Sequence, residues 1–173
     1  LAGGAKAIQK KYPLSEDTKI IWSHTLDYNI YLNCRTMHFE NTFGDYAVFL
    51  DEYAPYHPDI KYQTTSQRID KKYYYEDMGK LLNFIEKQFC LKIIIAAHPS
   101  SDYSKKPDCY PGRIIIKDKT IELVKNSKFV IAHASTAINF AILWEKPVLF
   151  ISLDKTFNTY YKRDIKATAK ALG

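Results

Sequence analysis

The stretch FVIAHASTAINFAILWEKPVLFI, residues Phe129–Ile151, decides the fold. It begins with an apolar run of strand length, continues with a segment that is apolar almost all round, and ends with a second apolar run. Two strands that are apolar throughout and joined by a helix are typical of a parallel sheet with helices on both faces. The histidine, serine and threonine at 133, 135 and 136 interrupt this pattern where the helix is expected to begin.

The same alternation of strands and helices extends toward the N-terminus. Apolar runs predict further strands, and apolar residues at helical spacing predict helices between them. The predicted strands are 19–23, 46–52, 92–97, 113–117, 129–134 and 147–152, and the predicted helices are 72–89, 120–127, 136–145 and the C-terminal tail. We therefore expect a Rossmann-like, mostly parallel sheet with helices on both faces, in which strands 92–97 and 129–132 are neighbours.

Length and composition indicate one domain. A chain of 173 residues with 46% hydrophobic content can bury one core. We expect a single α/β domain over 1–173 with a nucleotide-binding core at 46–152. The sequence begins at Leu1 without a methionine and ends at Gly173 directly after a helical pattern, so we expect it to be part of a longer protein.

Charge and cysteine content limit the partners and the compartment. A net charge of +6 favours acidic partners such as nucleotides, nucleic acid or an anionic membrane surface. No known RNA- or DNA-binding signature is present, so no nucleic acid partner is expected. Three cysteines without a CxxC pair favour a cytoplasmic location. Association with the inner face of the cytoplasmic membrane is a further expectation. The five histidines show no metal-ligand spacing, which predicts no metal site.

Polar residues follow most of the predicted strands directly. In open α/β sheets the ligand lies outside the carboxyl ends of the strands, so these residues are the candidate site. They are Asp51 and Glu52, then His98, Pro99 and Ser100, then Lys117, and finally His133, Ser135 and Thr136.

Ser135 and Thr136 stand where a helix begins, and hydroxyls there either cap the helix or help its free amides to hold a phosphate. The sequence has no glycine-rich phosphate loop. Pro99 holds His98 extended at the end of its strand, where an imidazole can contact a phosphate or protonate a leaving group. Asp51 is a candidate base, and Glu145 is a candidate for ribose hydroxyls.

The segment IIIAAHPSSDY, followed about thirty residues later by KNSKFVIAHASTAINFAILWEKPVLFI, resembles the nucleotide-binding lobe of GT-B glycosyltransferases. The likeness is to bacterial sialyltransferases and polysialyltransferases and to proteins of capsule polysaccharide synthesis. It covers residues 46 to 152. YAVFLDEYAPYHPD also resembles a stretch in surface polysaccharide biosynthesis proteins.

The resemblance implies roles for individual residues. His98 would contact the phosphate of CMP and help it depart, and Ser135 and Thr136 would bind the same phosphate. The nucleobase of CMP would lie against the backbone at Ile116 and Lys117. A GT-B enzyme needs two lobes, so an N-terminal lobe in cis is expected, and the family's general base has no match here beyond Asp51.

The preferred function is therefore the donor lobe of an inverting glycosyltransferase that uses a CMP-linked sialic or related acid and a glycan acceptor, without a further cofactor. Two enzyme alternatives stay open, a lobe like that of UDP-sugar 2-epimerases and one like that of CDP-glycerol phosphotransferases. A non-catalytic nucleotide-binding module is a third, and an RNA-binding surface is a weaker fourth.

Overall fold

A computed structural model describes residues 15–58, 69–153 and 159–173. The chain divides into two units, Leu1–His38 and Phe39–Gly173. In the first unit, helix α1 spans Leu26–Cys34 and is capped by the Thr25 hydroxyl. The prediction of a strand at 19–23 was wrong, because these residues are exposed and form no helix or strand. Short strands persist only when a neighbouring strand pairs with them.

The second unit contains a five-stranded sheet in which every pairing is parallel. The α/β prediction is therefore confirmed. The order of the strands is β3-β2-β1-β4-β5. Their bounds are Tyr46–Leu50 (β1), Lys92–Ala97 (β2), Ile115–Lys117 (β3), Val130–Ala132 (β4) and Val148–Phe150 (β5).

Four helices of this unit cover both faces of the sheet. They are α2 (Lys71–Phe89), α3 (Thr120–Asn126), α4 (Ile138–Leu143) and α5 (Thr159–Leu172). Met78 of α2 and Ile165 of α5 belong to one buried cluster with Phe49 of β1. On the opposite face, the hydroxyl of Tyr46 donates to the carbonyl of Leu123 in α3, and α3 packs against α4.

The expectation that strands 92–97 and 129–132 are neighbours was wrong, because β1 lies between them. β1 pairs with β2 through Leu50 opposite Ala96, and with β4 through Phe49 opposite Ile131. All five residues of β1 are buried, as the central position requires. Along the chain, β2 and β3 are therefore added on one side of β1, and β4 and β5 are then added on the other side. This reversal between β1 and β4 is where such folds form a ligand crevice.

Helix α2 shows how local sequence signals fix an element that supports the site. The Asp70 carboxylate caps it by accepting from the amide of Tyr73. Its buried face repeats at helical spacing, with Tyr74, Met78, Leu82 and Ile85 toward the sheet. The helix ends at Cys90, which takes the left-handed conformation.

Candidate functional site

The carboxyl ends of β2, β1 and β4 bring the predicted residues to one edge of the sheet. Continuing the two registers of β1 by two residues sets Glu52 beside His98 on one side and beside Ala134 on the other. Two hydrogen bonds join these ends. The amide of His98 donates to Asp51 Oδ2 over 3.4 Å, and the amide of Ala134 donates to Glu52 Oε1 over 2.7 Å.

Asp51 is the centre of a buried hydrogen-bond network on the α2 face. Its side chain accepts from the Tyr103 hydroxyl over 2.7 Å and from the Tyr110 hydroxyl over 3.0 Å. The amides of Tyr53 and His98 also donate to it. Burial raises the pKa of Asp51, and the four hydrogen bonds oppose that rise. With both oxygens occupied, Asp51 holds the loop after β2 against β1. This geometry suits a positioning residue better than the predicted base.

Two tyrosines bound to Asp51 adopt a conformation that bulky residues rarely take. Tyr53 has φ of 55° and Tyr110 has φ of 54°. A non-glycine residue in such a region costs about 1–3 kcal/mol and persists where its surroundings over-determine it. Burial also raises the pKa of Tyr103 and Tyr110, so both hydroxyls keep their protons and donate.

Glu52 leaves β1 on the opposite side from Asp51 and is half-buried. Burial raises its pKa to about 7, the Ala134 amide opposes the rise, and the nearby Asp51 adds to it. The carboxyl group is therefore neutral in a substantial fraction of molecules near neutral pH. It lies where the strand order reverses between β1 and β4, the position at which such folds form a ligand crevice. Its hydrogen bond with the Ala134 amide holds the loop that carries Ser135 and Thr136.

His98 has a defined proton position. Its Nδ1 accepts from the amide of Ser100 over 3.1 Å, so the neutral ring carries its proton on Nε2. Burial lowers the pKa of His98, and the nearby His57 and Lys117 lower it further while Asp51 opposes them. Near neutral pH, Nε2–H is therefore a hydrogen-bond donor on an uncharged ring.

His57 contacts His98, with ring centroids 5.1 Å apart in an edge-to-face arrangement. His57 is not among the site residues predicted from the sequence. The available signal was the repeated His-Pro pair, since His57-Pro58 and His98-Pro99 follow neighbouring strands of the sheet.

Ser135 and Thr136 lie in a turn before α4, because this helix begins at Ile138 and not near residue 136 as predicted. The Ser135 hydroxyl accepts from the amide of Ala137 over 3.3 Å, which is a local capping contact. Thr136 is exposed. The two hydroxyls face different environments, and Thr136 is the more accessible to a ligand.

His133 belongs to the core and not to the edge. It is fully buried, its Nδ1 contacts the carbonyl of Ile151 at 2.8 Å, and its Nε2 lies 3.5 Å from the Tyr74 hydroxyl. Burial lowers its pKa to about 4. A neutral imidazole that satisfies polar atoms inside the core explains why a histidine interrupts the apolar run.

The remaining predicted residues divide between two edges of the sheet. Pro99 and Ser100 are exposed in the loop after β2. At the end of β3, Ile116 is half-buried, and the Lys117 ammonium donates to the carbonyl of Ser101 over 3.0 Å. These residues lie on the same side as His98.

Glu145 lies at the opposite edge. It follows the C-terminal end of α4 and precedes β5, and the adjacent Lys146 donates to the carbonyl of Ser127 before β4. The amino ends of the strands are at that edge, so the structure does not bring Glu145 to the other candidate residues. This position does not suit the predicted contact with ribose.

Other features of the described segments bear on the class of site. Within 15–58, 69–153 and 159–173, no group of three or more His, Cys, Asp and Glu side chains is arranged to hold a metal ion. In the same residues, no helix is long and apolar enough to cross a bilayer. Comparison with protein-family models, with curated proteins and with solved structures finds no match for this chain.

Proposed function

We propose that this chain is the donor-binding lobe of an inverting glycosyltransferase that uses a nucleotide-activated sugar. One observation carries the proposal: the strand order reverses between β1 and β4, and His98, Glu52, Ser135 and Thr136 all follow strands at that point. A reversal of strand order is the general ligand position in open α/β sheets. The preference for a CMP-linked sialic or related acid in surface polysaccharide synthesis comes from the resemblance to sialyltransferases and capsule proteins.

The proposed phosphate contacts are neutral or backbone groups. Nε2–H of His98 is a hydrogen-bond donor on an uncharged ring, and the hydroxyl of Thr136 is exposed at the same edge of the sheet. Glu52 would repel a phosphate when ionised, but its pKa of about 7 leaves much of it neutral. Binding of the nucleotide would favour the protonated form of Glu52 further.

In the proposed reaction the acceptor hydroxyl attacks the anomeric carbon as the bond to the phosphate breaks. His98 stabilises the departing phosphate by a hydrogen bond, where charge increases in the transition state. Its lowered pKa makes donation from the neutral ring the dominant form near pH 7. The acceptor would be activated by a base from an N-terminal lobe, since the oxygens of Asp51 are occupied by four donors.

Nucleotide binding by this chain tests the proposal directly. Thermal unfolding with CMP, CDP, UMP and UDP should show the largest stabilisation with CMP, about 3 kcal/mol at a hundredfold excess over the dissociation constant. Preference for UDP would favour the lobe like that of 2-epimerases, and preference for CDP the lobe like that of glycerol phosphotransferases. No stabilisation by any of the four would reject a nucleotide site.

Turnover by the full-length protein tests the catalytic part. His98→Ala should lower kcat about a hundredfold or more, because the interaction is strongest in the transition state. Ser135→Ala should cost less, because its hydroxyl already accepts from Ala137 and Thr136 remains. If His98→Ala changes only KM, His98 binds substrate without assisting the chemistry. Binding of CMP without turnover would instead favour the non-catalytic module.

A further inference from the structure

A pocket of about 750 Å³ lies beside the edge strand β3, beneath the loop that follows β2. Side chains alternate along 113–117, so Arg113, Ile115 and Lys117 share one face. Ile115 and Lys117 pair with Ile95 and Ala97 of β2, and Ile95 packs in the core under α2. The pocket is therefore on the α2 face, lateral to the crevice between β1 and β4.

Two polar side chains of the pocket wall are buried with an atom that has no hydrogen-bond partner in the described parts of the chain. Ser101 is 5% exposed, and its Oγ is one of these atoms. The Arg113 side chain is 7% exposed, and its Nε is the other. A buried polar group without a partner costs about 1–3 kcal/mol. Two such groups at one pocket point to a ligand that supplies the acceptor.

The guanidinium of Arg113 is held in place by its terminal nitrogen Nη2. Nη2 donates to Asn83 Oδ1 over 2.6 Å and to Glu86 Oε2 over 2.8 Å, and Glu86 Oε1 accepts from the amide of Ile93. These contacts fix the orientation of the fork against α2 and β2. The cation is thus preorganised at the wall before any ligand arrives.

The charges around the pocket favour an anion. Asp102 is compensated, since it accepts from Ser104 Oγ over 2.6 Å and from Lys105 Nζ over 2.9 Å. Glu86 is compensated by Arg113. The Lys117 ammonium donates to a backbone carbonyl, that of Ser101, so its charge is not matched by a carboxylate in that contact.

We propose that this pocket binds the oxyanion group, phosphoryl or carboxylate, of a small molecule. Ser101 Oγ, Arg113 Nε and Lys117 Nζ are its donors. The volume is that of a typical small-molecule site. Ala97, Ile115 and Tyr103 line the remaining wall and provide apolar contact for a carbon skeleton.

This inference differs from the nucleotide proposal through Ser101 and Arg113, which are not predicted nucleotide-site residues, whereas Ser100 and Lys117 are common to both sets. The oxyanion has two sources to distinguish, a free phosphate and the carboxylate of an acidic sugar. Calorimetric titration of the chain with inorganic phosphate, free N-acetylneuraminate and CMP separates them. N-acetylglucosamine serves as the uncharged control.

Ser101→Ala should weaken binding of the preferred anion about tenfold, the value of one hydrogen bond to a charged group. The same substitution should keep or raise the melting temperature, because it removes a buried hydroxyl without a partner, and this separates lost binding from lost folding. Lys117→Met should also weaken binding about tenfold, more strongly at low salt. Lys72→Met is the charge-matched control, since Lys72 is 79% exposed and neither it nor its partner Glu76 lines the pocket; it should change the affinity less than about twofold.

Ser101→Ala should leave the affinity for CMP unchanged while it weakens binding of the preferred anion, because Ser101 is not among the residues proposed to hold the nucleotide. If CMP alone does not bind, the nucleotide site is rejected and the proposed anion pocket is retained. The pocket proposal is overturned if neither phosphate nor N-acetylneuraminate binds at about 10 mM, if N-acetylglucosamine binds as well as they do, or if Lys72→Met weakens binding as much as Lys117→Met.

Discussion

The two sides of β1 are built differently although both neighbours are parallel strands. On the β2 side, Asp51 accepts four hydrogen bonds, two of them from tyrosines of the loop after β2. On the β4 side, one bond from Ala134 to Glu52 joins the following loop to β1. The first connection is buried and dense, whereas the second is half-buried and depends on an ionisable group. We infer that the first side gives rigidity and the second can adjust to a ligand.

The largest expected effect is on the Asp51 side. Asp51→Ala leaves two tyrosine hydroxyls and two amides without their acceptor and releases the strained turn at Tyr53. We expect the free energy of unfolding in urea to fall by about 3–5 kcal/mol. Asp102→Ala is the control, because that aspartate lies in the loop after β2 that Asp51 holds but is more exposed, and it should cost less than about 0.5 kcal/mol. Equal losses of free energy of unfolding in the two variants would show that Asp51 is not the centre of the network.

Glu52 should make stability depend on pH. Its pKa is about 7 in the folded chain against 4.5 for the free side chain, so the folded state binds more protons between these values. The contribution of Glu52 to the free energy of unfolding is therefore greatest below pH 4.5 and is lost as pH rises through 7. Glu52→Gln removes this loss and should raise the free energy of unfolding at pH 8 by up to about 3 kcal/mol, with little change at pH 4.

The matched control for that experiment is Glu76→Gln, which alters an exposed glutamate of α2. The difference in free energy of unfolding between this variant and the unmodified chain should be the same at pH 4 and pH 8. A constant difference for Glu52→Gln as well would mean that Glu52 is solvated, and that the β4 side does not rest on an ionisable contact.

A smaller effect isolates one contact on the β2 side. Tyr103→Phe keeps the ring and removes the 2.7 Å hydrogen bond to Asp51. The expected loss is about 1.5–3 kcal/mol, the range for a hydrogen bond to a charged group. Tyr73→Phe changes an exposed tyrosine of α2 and should be neutral. A neutral Tyr103→Phe would show that packing, and not the hydroxyl, holds the loop.

The smallest effect is expected for the hydroxyls of the β4 side. Ser135→Ala removes the contact with the Ala137 amide and should cost about 0.5–1 kcal/mol in urea unfolding. Thr136→Ala should cost less, because its side chain is exposed. If either substitution lowers the free energy of unfolding more than Tyr103→Phe does, the contrast between the two sides is contradicted.

Sequence patterns predicted the elements of the sheet well, because β1, β2 and β4 are apolar runs of strand length. They did not predict the strand order. Adjacency depends on which strand is buried from both sides, and β1 and β4 are almost equally apolar. The prediction of a strand at 19–23 was wrong for a related reason, since an apolar run does not show whether a neighbouring strand exists to pair with it.

The candidate site was predicted in part. His98, Ser135 and Thr136 follow strands at the expected edge, and this placement needed only the polarity of parallel strands. Glu145 lies away from them because α4 runs back along the sheet, so a residue at the end of α4 is at the other edge. The pairing of His57 with His98 and the tyrosines around Asp51 depend on contacts between distant segments, which one sequence does not specify.

The central claim is that the crevice between β1 and β4 holds the phosphate of the nucleotide. A crystal structure of the chain with CMP tests it most directly. We expect a phosphate oxygen within about 3.2 Å of His98 Nε2, with the hydroxyl of Thr136 on the same phosphate. A phosphate bound in the pocket of Ser101 and Arg113, or at the amino edge near Glu145, would contradict the claim.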